Sequence, residues 1–181
     1  YATDPRLAAI YGVAPWDGES EAPELPAGER SGLLTRAALL ASSDGSTNPF
    51  RRGAFLRRLL FCDDVPAPPG DLPGDALTPP PVAADASTRE QFAAKVVSEP
   101  CASCHASFTP LGWAMEAYDG LGRFRTQERL VTDVGEDLGT VPVDATATVD
   151  FAGADVPVSG PVELSEELAA SGLGDACLSR Q

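Results

Sequence analysis

One short segment of the chain combines cysteine and histidine at a spacing that supports a specific chemistry. Cys101, Cys104 and His105 form the pattern C-x-x-C-H, and His105 is the only histidine in the sequence. Two thiols three positions apart on one helical turn can form thioethers with the two vinyl groups of one porphyrin, and the next imidazole can bind the iron as its proximal ligand. The pattern therefore predicts one covalent haem c.

Three other interpretations of these residues stay open. A C-x-x-C redox couple of the thioredoxin type is expected in a βαβ context, which the flanking sequence does not offer. A zinc site would need a fourth ligand, and the adjacent Cys104 and His105 cannot easily bind one tetrahedral ion. The third interpretation is a disulfide between Cys101 and Cys104, above all where haem was never loaded. Protein expressed in the cytoplasm is expected to lack haem.

Met115 is the one candidate for the distal iron ligand, because the chain has a single methionine and no second histidine. It follows His105 by ten residues, which allows ligation if a helix over 111–118 folds back over the iron. The alternative is a core residue beside Trp113, as methionine often is. The iron would then be five-coordinate or water-bound.

Cys62 and Cys177 remain when the haem pair is set aside. Because c-type haem is attached outside the cytoplasm, where thiols oxidise, we predict a Cys62–Cys177 disulfide in a periplasmic or extracellular protein. Its loop of about 115 residues would stabilise the fold by roughly 4–5 kcal/mol at most. Two unpaired buried thiols are the alternative.

Capping signals and apolar periodicity predict the elements that would position these residues. Asp4-Pro5, Asn48-Pro49 and the capping box from Ser87 to Glu90 are typical of helix starts. The helix after Ser87 leads directly into the haem motif, and its apolar side chains Phe92, Ala93, Val96 and Val97 are expected to be buried. The other predicted elements are helices over 33–41, 50–61, 111–118 and from 161, and a small hairpin or meander within 127–158.

The sequence therefore predicts that the whole chain, 1–181, forms a single mostly α, cytochrome-c-like domain with long Pro-rich loops and a small β element. Aromatic residues are only 7% of the chain, so the haem would supply much of the core. The expected parts are N-terminal helices (1–62), a Pro-rich strap (63–86), haem-motif helices (87–126), and the β element with C-terminal helices (127–181).

Four arginines on the helix over 50–61 have two interpretations. They are Arg51, Arg52, Arg57 and Arg58. One or two of them would bind haem propionates, since guanidinium binds carboxylate in a bidentate manner. Alternatively, they form a solvated face that offsets nearby acids, which we favour.

The charge of the chain excludes several classes of partner. There are 27 acidic and 13 basic residues, with a net charge of −14 and Lys95 as the only lysine. Such a surface repels nucleic acid and anionic membranes. No segment approaches the roughly 20 apolar residues of a membrane span.

The segment from Cys101 to Arg125 resembles a known pattern, C-x-x-C-H-x-x-x-D-P-x-G-F-x-x-E-x-F-D-x-x-G-x-x-R. The pattern is that of a bacterial cytochrome-c-like family, the domain of unknown function 1588. Residues 32–41, 51–62 and 143–145 are also similar to it, so the resemblance covers nearly the whole chain. Residues 175–181 resemble the start of domain 1585, which normally follows, cut short here.

The chain departs from that family pattern at three positions. Thr109 replaces Asp, Phe108 stands where many members have Met, and Met115 stands where Leu is more common. The resemblance implies a large exported protein with several uncharacterised modules, of which this domain carries the haem. It implies no known reaction.

The leading expectation is a non-catalytic module that transfers single electrons within a larger exported redox protein. Its partners would be the other domains of that protein and a redox partner protein or enzyme domain. One alternative is a haem enzyme or gas sensor with an open distal site. Another is a binding or scaffold module without haem, stapled by disulfides.

Overall fold

A computed structural model describes residues 2–42, 45–67, 70, 83, 85–132 and 134–180. Most of the Pro-rich strap expected over 63–86 lies outside the described residues. The helices are α1 (Pro5–Tyr11), α2 (Ala37–Leu40), α3 (Pro49–Phe61), α4 (Thr88–Ala94), α5 (Cys101–Ala106), α6 (Thr109–Trp113), α7 (Pro161–Ser171) and α8 (Leu173–Leu178). The strands are β1 (Gln127–Val131), β2 (Asp137–Pro142), β3 (Ala147–Phe151) and β4 (Ala154–Val158).

The prediction of a mostly α, cytochrome-c-like fold is wrong. Among the described residues helix accounts for 37% and strand for 14%, and the short helices do not form a clear helical bundle. Glycine is one physical reason, since a residue that readily adopts a left-handed φ can end a helix. For example, α1 ends after two turns at Gly12, whose φ of 68° is left-handed.

The predicted helix starts are confirmed. The Asp4 carboxylate accepts hydrogen bonds from the backbone N–H groups of Arg6 and Leu7, and Asn48 caps α3 by accepting from the N–H of Arg51. Ser87 and Glu90 form the reciprocal capping box at the start of α4. Each cap satisfies N–H groups that have no partner inside the helix.

The predicted end and the predicted buried face of α4 are wrong. The helix was expected to lead directly into the haem motif, but it ends at Ala94, and none of its residues is buried. Val97 is 72% exposed. The position before a proline disfavours helix, so Pro100 separates α4 from α5. Periodicity identifies an apolar face, but it does not show whether another element covers that face.

The alternating segment forms two separate antiparallel hairpins, β1–β2 and β3–β4. In the second hairpin Ala147 pairs with Val158 and Phe151 with Ala154. Side chains of this hairpin enter the core, whereas β2 has no buried residue. The two hairpins therefore differ in how much core they supply.

The core lies between α3, the segment around α6, the second hairpin and the C-terminal helices. Its members are Leu34, Leu40, Leu56, Leu60, Phe61, Leu111, Ala114, Met115, Tyr118, Val149, Phe151, Val158, Leu164 and Leu168. Helices α3 and α6 approach closely at two glycines. A Cβ atom at Gly53 would overlap the carbonyl of Phe108, and one at Gly112 would overlap the carbonyl of Pro49.

The predicted Cys62–Cys177 disulfide is confirmed. It joins the residue after α3 to α8, with the two Cα atoms 5.4 Å apart. The bond closes a loop with a sequence separation of 115 residues, so it connects the N-terminal helices to the C-terminal ones. Among the described residues, none of the helices is long and apolar enough to cross a membrane.

Candidate functional site

The two cysteines of the C-x-x-C-H motif lie on the short helix α5. Both are free thiols, Cys101 half-buried and Cys104 exposed. Neither they nor any other α5 residue is buried. The spacing of three residues puts both thiols on one side of a helical turn, where a ligand outside the fold can reach them.

His105 follows directly and lies between two aromatic rings. Its imidazole is 4.1 Å from the Phe50 ring and 4.6 Å from the Phe108 ring, measured between centroids. Its Nδ1 atom is 3.0 Å from the Thr109 hydroxyl oxygen. Burial lowers the pKa of His105, which favours the neutral ring that binds metals.

A half-buried aromatic cluster extends this environment beyond α5. Phe50, at the start of α3, packs edge-on against Phe92 of α4 at 4.9 Å and against Trp113 of α6 at 6.3 Å. The Arg89 guanidinium lies over the Trp113 ring at 5.2 Å. These rings give the motif an apolar surface that a large planar group could cover.

Helix α4 has no buried residue, so polar contacts anchor it. Glu128 of β1 accepts hydrogen bonds from the Thr88 hydroxyl and, at 3.1 Å, from the Thr88 N–H. Arg125 joins this carboxylate to Glu116, with nitrogen–oxygen distances of 3.7 Å to Glu128 and 3.3 Å to Glu116. The helix before the motif is thereby tied to the core.

Glu116 is the most strongly perturbed carboxyl in this network. It is 2% exposed, and burial raises its pKa to about 7, although Arg125 and Arg52 lower it. Between pH 4.5 and 7 the folded state therefore holds more protons than the unfolded state, so this contribution to stability falls as the pH rises.

We expect Glu116→Gln to remove that dependence on pH. Between pH 4.5 and 8 the wild type should lose about 3 kcal/mol more unfolding free energy than the variant, measured by urea denaturation. Glu167→Gln, at an exposed position, is the matched control and should keep the wild-type profile. Parallel profiles for the wild type and Glu116→Gln would contradict the assignment.

The structure puts Met115 in a different environment from His105. Met115 is 0% exposed and belongs to the main core with Leu111 and Tyr118. His105 instead contacts Phe50, Phe108 and Thr109, outside that core. Distal ligation by Met115 stays a prediction.

Two of the four arginines on α3 are buried, so the prediction of a solvated face is wrong for these two. Arg52 donates to the backbone carbonyls of Leu40, Met115, Tyr118 and Asp119. The other, Arg57, forms ion pairs of 2.7 Å with Asp63 and 3.1 Å with Asp150. Their guanidinium groups bind the protein itself and hold α3 to its neighbours.

Sequence reasoning missed the contacts that Thr109 and Glu128 make with His105 and Thr88. The spacing of four residues between His105 and Thr109, one helical turn, was a usable signal for the first contact. No local pattern indicates the contact between Glu128 and Thr88, because 40 residues separate them in the sequence.

The protein is a small domain of short helices and β-hairpins, linked by the Cys62–Cys177 disulfide. Its C-x-x-C-H motif lies on the short helix α5, beside an aromatic cluster. A family model, PSCyt3, described as "Protein of unknown function (DUF1588)", matches residues 30–128, more than half of the chain. The chain belongs to this family, which confirms the resemblance. No curated protein and no solved structure matches it.

Proposed function

We propose that this domain carries one covalent haem c and transfers single electrons within a larger exported protein. One observation supports this proposal most strongly. The two thiols of the motif are free and accessible on one turn of α5, and the Nδ1 atom of the following imidazole lies within hydrogen-bond distance of Thr109. Within the described part of the chain, Nε2 of His105 has no protein partner, so it is the nitrogen available to iron.

The residues present fit the attachment chemistry of the group. Each thiol would add across one vinyl group of the porphyrin: the sulfur bonds to one vinyl carbon, a hydrogen goes to the other, and the double bond becomes single. The step needs no external oxidant and releases no fragment. It requires accessible sulfur atoms, and Cys101 and Cys104 are accessible.

When bound, the haem supplies a one-electron couple whose potential depends on its axial ligands and surroundings. The chain's own residues orient and shield it. His105 supplies the proximal nitrogen, held between Phe50 and Phe108. The half-buried rings of Phe92 and Trp113 supply apolar surface nearby.

Export is part of this proposal. Haem c is attached outside the cytoplasm, and the Cys62–Cys177 disulfide is compatible with an oxidising compartment. The net charge of −14 favours a redox partner with a basic docking surface. Partner domains of a longer protein are proposed from the family resemblance.

The burial of Met115 favours a second candidate, a haem enzyme or sensor with an open distal site. If this side chain stays in the core, the iron keeps a position free for a small ligand. No second histidine is available as an acid–base group in the chain.

The test is to export this chain together with the c-type haem attachment machinery. We expect intact-protein mass spectrometry to find one covalent haem, and Cys101→Ala/Cys104→Ala to lose it completely. Ser103→Ala, an exposed hydroxyl between the two cysteines, is the matched control and should keep the haem. A colourless, folded wild-type protein without added mass would contradict the proposal and favour the disulfide-stapled module.

Absorption spectra of the same samples separate the two haem functions. A low-spin spectrum that becomes high-spin in Met115→Leu identifies a His/Met electron carrier. A high-spin spectrum that Met115→Leu does not change supports the open-site protein. The leucine nearly conserves the volume of the core side chain, so it tests ligation more than packing.

A further inference from the structure

The Thr109 hydroxyl contacts one of the two ring nitrogens of His105, Nδ1. The Thr109 hydroxyl oxygen is 3.0 Å from Nδ1, within normal hydrogen-bond distance. Thr109 is only 3% exposed, so water competes little for this contact. The hydroxyl can either accept from Nδ1–H or donate to Nδ1, and when it accepts, the proton of the neutral ring is held on Nδ1.

The position of Thr109 is rigidly held. It is the first residue of α6, next to Phe108, whose carbonyl lies against Gly53 of α3 with no room for a Cβ atom. The imidazole itself is confined by Phe50 and Phe108, with interplanar angles of 60° and 47°. The hydroxyl therefore meets the ring in a single arrangement.

We infer that Thr109 is the positioning residue of His105: its hydroxyl oxygen accepts a hydrogen bond from Nδ1–H and so directs the Nε2 lone pair to the iron. This inference rests on the proposed function. The second ring nitrogen of a metal-binding histidine usually donates such a hydrogen bond, which orients the ring and raises its basicity.

The hydrogen bond has a direct consequence for electron transfer. An acceptor on Nδ1–H increases electron density on the imidazole, which favours the oxidised iron and lowers the reduction potential. Thr109→Val keeps the shape of the side chain but cannot accept. It should therefore raise the potential, and Thr109→Ser should restore it towards the wild-type value.

The hydrogen bond can be tested first without haem. Because the chain has one histidine, its ¹⁵N imidazole resonances need no assignment. We expect the wild type and Thr109→Ser to show mainly the Nδ1–H tautomer, and Thr109→Val to shift towards Nε2–H. Ser107→Ala, a neighbouring exposed hydroxyl that donates to the Cys104 carbonyl, is the matched control and should resemble the wild type. The same tautomer population in the wild type and Thr109→Val would overturn the inference.

The second measurement is the midpoint potential of the haem-loaded proteins. A higher potential in Thr109→Val, with Thr109→Ser and Ser107→Ala close to the wild type, supports the inference. An unchanged potential in Thr109→Val overturns it, while the haem function stands. If the wild type binds no haem, the proposed function fails, and the tautomer measurement still decides whether Thr109 holds His105.

Discussion

Replacing Arg52 by methionine is expected to lower the free energy of unfolding by about 3–5 kcal/mol. Its buried guanidinium donates to backbone carbonyls at the end of α2 and in the segment after α6, including those of Leu40 at 2.9 Å and Tyr118 at 2.6 Å. Methionine fills similar space but leaves these buried carbonyls without their donor. Because small domains are marginally stable, this loss should come close to unfolding the protein.

Two further variants separate this role from charge alone. Arg52→Lys keeps a positive charge but replaces the planar five-donor group with a compact ammonium, so it should recover only part of the loss. Arg51→Met changes the neighbouring, exposed arginine and should cost less than about 1 kcal/mol. The measurement is equilibrium denaturation at pH 7. A loss for Arg52→Met as small as that for Arg51→Met would contradict the assignment.

The second large effect is expected for Gly112→Ala. A Cβ atom there would overlap the backbone carbonyl of Pro49, which is held at the start of α3. Since a backbone group cannot rotate away, α3 and α6 must separate. We expect a loss of about 2–4 kcal/mol in unfolding free energy, which overlaps the upper half of usual overpacking costs and extends above it.

The glycine in α8 provides the matched control. At Gly174 an added Cβ would meet only Leu168 side-chain atoms at 3.6 Å or more, which is ordinary contact. Gly174→Ala should therefore be neutral or stabilise by up to about 1 kcal/mol through helix propensity. If both variants had the same thermal midpoint, the close α3–α6 contact would not limit stability.

The separation of helices α3 and α6 also bears on the candidate site. Phe50 comes from α3, whereas Thr109 comes from α6, and both contact His105. Gly112→Ala should therefore disturb the tautomer of His105 as well as stability. Although Gly112 is remote from the thiols, its substitution should affect the site because Phe50 and Thr109 both contact His105.

Local signals predicted the parts of the fold that depend on near neighbours. Asp4, Asn48 and Ser87 all cap helices as expected, since each binds an N–H group two or three residues away. The same locality puts Cys101, Cys104 and His105 on one turn. A β element within 127–158 was recognisable because side chains alternate along a strand with a period of two residues.

Long-range packing decided the properties that the sequence analysis assigned wrongly. The apolar face of α4 is only half-buried because other elements cover part of it, and apolar periodicity does not indicate how much of a face is covered. Arg52 was interpreted as a surface residue, yet it is buried because carbonyls from two distant segments satisfy its donors. The predicted fold class was wrong for a related reason: short helices and the second hairpin pack around α3.

The sequence by itself determined the chemistry that this domain can support: the thiol and imidazole spacing, the helix starts, the Cys62–Cys177 pairing and the family. These follow from covalent spacing, from hydrogen bonds within a few residues, and from the small number of cysteines. Only the tertiary structure decided that Met115 lies in the core, that Arg52 holds α3 to its neighbours, and that Thr109 meets Nδ1 of His105. The physical reason is that burial and side-chain pairing depend on which distant segments pack together, and that packing is a property of the whole fold.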